Sequence, residues 1–100
     1  MTFADIQSAF VQASYGKLAP SLMKYSVATA GDRLMARIVV LESIDDEESD
    51  RVFDILGDMV GHLDCAADFE LIKVATLQEA YDTLALPNLL FWAYRLDAEL

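Results

Sequence analysis

His62 is the chain's single histidine and Cys65 its single cysteine, so nucleophilic or zinc chemistry would have to pass through them. A Ser-His-Asp or Cys-His arrangement must use His62. No residue order near it marks a triad, and on a helix it falls at the border of the polar face. His62 therefore reads as a surface or boundary residue. A catalytic thiolate needs a base and an electropositive setting. Cys65 instead lies between Asp64 and Asp68, and neighbouring acids raise a thiol pKa. It reads as a small, buried or half-buried side chain, and one cysteine forms no intrachain disulfide. Zinc sites take three or four ligands, more than one His and one Cys supply. The four glycines are scattered, so no phosphate-binding loop is present. Asp45-Asp46-Glu47-Glu48-Ser49-Asp50 lacks the alternating acids, central glycine and closing glutamate of a calcium loop. These residues lead us to expect no enzyme, no metal and no cofactor.

Carboxylates remain, and their distribution is uneven. The segment 42–70 holds eleven acids against one strong base, Arg51, and so carries a net charge of −10, equal to that of the whole chain. Glu47, Asp50, Asp54 and Asp58 share one face of a helix at about 100° per residue. They make two i, i+4 contacts and one i, i+3 contact between like charges, each destabilising by a few tenths of a kcal/mol. A face optimised for stability would interleave lysines. Two readings follow: a solvated face that maintains solubility, or a docking surface for a cationic partner. A general acid among these carboxylates would need an apolar pocket, whereas their periodicity turns most of them to solvent. The charge repels nucleic acid and anionic lipid, so direct binding to either is not expected.

The elements that would hold this face are legible in the hydrophobic pattern. One hundred residues make one domain, and a composition 55% hydrophobic argues against disorder. Thr2 caps a first helix over about Phe3–Tyr15, with Phe3, Ile6, Phe10 and Ala13 on one face and Gly16 as its stop. Met23–Thr29 and Leu34–Glu42 alternate as strands around the turn Ala30-Gly31-Asp32-Arg33, a β-hairpin. Apolar residues on both faces near Ile38–Leu41 predict a central strand covered on both sides. The acidic helix starts near Ser43–Asp45 and runs to about Leu63, burying Val52, Leu56, Met59 and Leu63. Gly57 and Gly61 within it suggest close packing or a ragged end. Asp64–Asp68 reads as a loop and Phe69–Thr76 as a strand. Thr76-Leu77-Gln78-Glu79 opens a third helix with Leu77, Ala80, Tyr81, Leu84 and Ala85 as its apolar face. The stretch 89–96 reads as a strand, with a last helix after Pro87 as the alternative. Its aromatics Phe91, Trp92 and Tyr94 read as a core cluster, or else as an exposed anchor. The expected fold is a single α+β domain over 1–100, with a small, largely antiparallel sheet and three helices.

The Asp45–Asp58 acidic helix and the compact hairpin Met23–Leu41 resemble bacterial immunity proteins. These neutralise toxic nuclease domains in contact-dependent growth inhibition and related polymorphic toxin systems. The resemblance implies a protein that docks its acidic surface over the basic cleft of a toxin nuclease. Glu47, Asp50, Asp54 and Asp58 would lead the contact, with Asp45, Asp46 and Glu48 in support. The Met-Thr-Phe-Ala-Asp start lacks a basic n-region and apolar core, which leads us to expect a cytoplasmic protein. Two other classes stay open: a phage-type inhibitor that mimics nucleic acid, and a structural subunit that self-associates through exposed aromatics.

Overall fold

The Thr2 hydroxyl accepts the Asp5 amide, and the Asp5 carboxylate accepts the Thr2 amide, both at 3.1 Å. This reciprocal box satisfies two of the amides that a helix start leaves over. Helix α1 runs from it over Phe3–Ser14, and Gly16, at φ +72°, turns the chain away. Ile6, Ala9, Phe10 and Ala13 are buried. Phe3, expected beside them, is exposed: it is the helix's first residue, and the core reaches only to Ile6.

The computed structural model describes residues 1–93. Strands β1 (Leu22–Ala30) and β2 (Arg33–Leu41) pair antiparallel across Gly31-Asp32, where Gly31 takes φ +66°. Helix α2 (Asp46–Leu63) then crosses back, so that β3 (Ala66–Val74) lies parallel to β2. Helix α3 (Leu77–Asp82) and strand β4 (Asn88–Trp92) follow, with β4 antiparallel to β1. The four strands run in the order β3-β2-β1-β4. This is the expected α+β domain: three helices and a mixed, mostly antiparallel sheet.

One face of the sheet carries α1 and α2. Leu22, Tyr25 and Val27 of β1 meet Leu34, Ala36, Ile38 and Val40 of β2 there, under Phe10, Val52, Ile55 and Met59. A Val, Leu, Ile or Met side chain withdrawn from water contributes about 1.5–3 kcal/mol. The other face holds a smaller cluster of Met23, Val39, Val74 and Ala80 beneath α3. Ile38, Val39 and Val40 are fully buried, so β2 is covered on both sides where its sequence is apolar on both. Two bulges break strict alternation. Met23 is the extra residue between the pairs Leu22↔Val40 and Lys24↔Val39, and Leu90 is extra between Phe91↔Tyr25 and Leu89↔Ser26.

Several expected boundaries move. Asp64–Asp68 is not a loop: Asp64 ends α2 in the left-handed region at φ 49°, and β3 begins at Ala66. Pairing with β2 from Arg33 onward imposes the extension, and an ion pair from Arg33 to Asp68 fastens it. The strand ends at Val74 rather than Thr76 because Thr76 caps α3 through the Glu79 amide. Glu79 reaches the Ala75 amide, not that of Thr76, so the expected capping box closes one residue early. Helix α3 stops at Asp82, leaving Tyr81, Leu84 and Ala85 exposed instead of forming an apolar face. Phe91 packs against the α1/α2 core and Trp92 against the α3 cluster, so they lie on opposite faces and form no single aromatic cluster. Pro87 precedes a strand, β4 over Asn88–Trp92, as expected for the first part of 89–96. Tyr94 and the rest of that stretch lie outside the described residues.

Candidate docking surface

Helix α2 is held at its start by Asp45, whose carboxylate accepts the Glu48 amide at 2.8 Å. Glu48 closes the box and also reaches out of the helix. It accepts the Ser21 hydroxyl at 2.9 Å and the Ser21 amide at 3.3 Å, tying the helix start to the entry of β1. These two acids are therefore occupied in holding α2. Asp46 and Glu47 stand in the first turn, where the helix dipole favours anions.

Intramolecular pairing then divides the outward acids by flank. Glu47 accepts from Arg51 at 2.6 Å, and Asp58 from Lys17, in the turn after α1, at 2.5 Å. The Asp58 hydrogen bond raises the Lys17 pKa. Both pairs are largely exposed, so each adds little stability. Asp46, Asp50 and Asp54 are exposed and make no ion pair among the described residues. Spaced four residues apart, they form one row along the helix. Asp68 and Glu70, on β3, are held by Arg33 and Arg37 across the sheet. Arg33 keeps the Asp68 carboxyl below its usual range.

Gly57 and Gly61 lie beside this row, and a Cβ on either would meet open space. The close packing suggested for them is not what they provide. His62 is exposed, at the rim of a shallow cleft of about 450 Å³ with Met1, Asp5, Ser8, Gln12 and Leu63. Asp5, the carboxylate in that cleft, already caps α1. Cys65 is half-buried, and burial first, then Asp32 and Asp64, pushes its thiol up. Asp32, across the hairpin turn, replaces Asp68 as the second acid acting on it. No metal-binding cluster of His, Cys, Asp and Glu forms among the described residues, and none of their helices is long and apolar enough to cross a membrane. No protein-family model and no curated protein sequence matches the chain.

The residues that sequence reasoning passed over are Phe53 and Phe69. Their rings meet edge to face at 5.2 Å, and Phe69 remains 53% exposed. Phe53 borders the stripe of Val52, Leu56, Met59 and Leu63 and is not part of it. The available signal was its place three residues after Asp50, on the border between apolar and acidic faces.

Proposed function

We propose that this protein is a small acidic binding protein that docks on a basic partner, in the manner of immunity proteins that neutralise toxin nucleases. One observation carries this reading: the row Asp46, Asp50 and Asp54, exposed on a capped helix and unpaired among the described residues. A nuclease cleft is basic because it binds a polyanion. Such a cleft attracts the row before contact, raising the association rate by about 10- to 1000-fold at low salt. The helix is packed against the sheet through Val52, Ile55 and Met59, so its carboxylates are held in place before binding and little ordering entropy is lost. Seated over the cleft, the acidic face excludes the nucleic acid, and inhibition needs no covalent step.

The test is a titration against a basic toxin nuclease domain, sought first in the reading frame beside this gene, with that domain's nuclease activity as a second readout. Wild-type protein is expected to bind and inhibit, with affinity falling as salt rises. The triple reversal D46K/D50K/D54K is expected to keep its circular dichroism spectrum and lose at least about tenfold in affinity, the equivalent of about 1.4 kcal/mol. Unchanged affinity would remove the row from the interface.

A further inference from the structure

The sheet's two edges are built differently. β4 is five residues long, follows Pro87 and is bulged against β1. Short length, a proline and a bulge each keep an edge strand from pairing further. β3 is nine residues long, contains no proline and holds an unbroken register with β2 from Ala66 to Val74. The Val74 carbonyl accepts the Glu42 amide at 2.8 Å, so Val74 turns its backbone groups toward β2. In a parallel pair alternate residues do this. Phe69, Leu71 and Lys73 therefore turn their N–H and C=O groups to the outer edge, which no described residue pairs. Lys73 guards one end; the stretch 66–72 carries no lysine.

The side chains beside that edge specify what it would receive. Phe69 shares register with Ala36 and so faces α2, where it meets Phe53, itself 36% exposed. Exposed aromatics in contact are the usual anchors of an interface. Around the helix axis Asp46 and Asp50 lie within about 60° of Phe53, on the flank nearer β3. The acids of the opposite flank, Glu47 and Asp58, are the ones already paired.

We propose that the outer edge of β3 receives an extended cationic segment of the partner as a fifth strand, with the Phe53–Phe69 pair taking an apolar side chain and Asp46 and Asp50 taking flanking lysines or arginines. This deepens the acidic docking role above and rests on it. Main-chain hydrogen bonds along Phe69 and Leu71 fix the register, and the alternate side chains give specificity. Charge selects a foreign strand over a second copy, because self-pairing would bring two domains of charge −10 edge to edge.

The experiment is amide hydrogen exchange on the full chain, read by NMR, with a synthetic ten-residue peptide at millimolar concentration. The peptide has threonine at every second position, with lysine and valine alternating between; a control replaces lysine with glutamate. The lysine peptide is expected to slow exchange at the Phe69 and Leu71 amides at least about tenfold, and the glutamate peptide to leave it unchanged. D46K/D50K and Phe69→Ser are each expected to remove the protection while the remaining amides keep their rates. Four outcomes overturn strand addition: no binding of the lysine peptide, binding without slowed exchange at Phe69 and Leu71, equal protection by both peptides, or protection that grows with the protein's own concentration in their absence. None of these touches the partner titration with D46K/D50K/D54K, so the acidic docking role stands or falls separately.

Discussion

Tyr25 is fully buried, its ring 5.1 Å from Phe10, and its hydroxyl has no hydrogen-bond partner among the described residues. A buried polar group left unpaired is destabilising. Tyr25→Phe is therefore expected to gain about 1 kcal/mol in urea unfolding. Burial also raises the hydroxyl's pKa far above its ordinary 10.0. Above that pH the unfolded chain ionises while the folded one does not. The folded state then binds more protons, and stability falls as pH rises. The variant should lose less stability above pH 10 than the wild type; parallel curves would place the hydroxyl in a polar setting. The glycines supply a second test at this scale. Gly57→Ala and Gly61→Ala meet open space and should each stabilise α2 by about 0.5–1 kcal/mol, the backbone entropy that glycine adds to the unfolded chain. Gly31→Ala, at φ +66°, should destabilise by about 1 kcal/mol.

At the scale of elements, position decides what a carboxylate does. Asp46 and Glu48 stand in the same turn of α2, yet only Glu48 reaches the Ser21 hydroxyl and amide. Glu48→Ala should cost about 1–2 kcal/mol by loss of charge-assisted hydrogen bonds, and Asp46→Ala within about 0.5 kcal/mol of nothing. Equal losses in thermal unfolding would mean that Glu48 does not tie α2 to β1. Lys24 works similarly at the opposite face. It is buried, with its ammonium 4.8 Å from the Trp92 ring centre and 2.6 Å from the Thr83 carbonyl. It gathers the end of α3 and the strand β4 onto β1. Desolvation lowers its pKa. Between that lowered value and 10.5 the unfolded chain binds more protons, so this group makes stability rise with pH there. Lys24→Met should remove that rise and speed amide exchange in α3 and β4 by loss of the bridging ammonium.

Taken as a whole, the molecule carries a net charge of −10, and α2 with its N-cap gathers seven acids against the single strong base Arg51. The exposed pairs Lys17–Asp58 and Arg51–Glu47 offset little of the resulting self-repulsion. Salt screens the repulsion more than it weakens those pairs. Raising sodium chloride from a few millimolar to half molar should therefore raise Tm, by on the order of 5 °C for a domain of this size. The reversal D46K/D50K/D54K should flatten this dependence. A wild-type Tm that falls with salt would mean that favourable pairs outweigh the repulsion.

What the chain determines by itself is local. Three- and four-residue spacing of Val52, Leu56 and Met59 against Asp50, Asp54 and Asp58 defines α2 and its two faces, because a helix advances about 100° per residue wherever it lies. Gly31 between two alternating stretches is enough for the hairpin, and the acids after Ser43 for a helix start near Ser43–Asp45; that Asp45 with Glu48 forms the cap is seen only in the structure. Tertiary structure decides the partners of these local pieces. That Lys17 pairs with Asp58, while Asp54 acts on it only through space and Asp50 makes no ion pair, depends on where α1 packs. That Ala66-Ala67-Asp68 extends as strand rather than loop depends on β2 lying alongside, since small and acidic residues have no extended preference of their own. The bulges at Met23 and Leu90, and the meeting of Phe53 with Phe69, join residues from elements apart in sequence. Spacing along the chain carries no information about such distances.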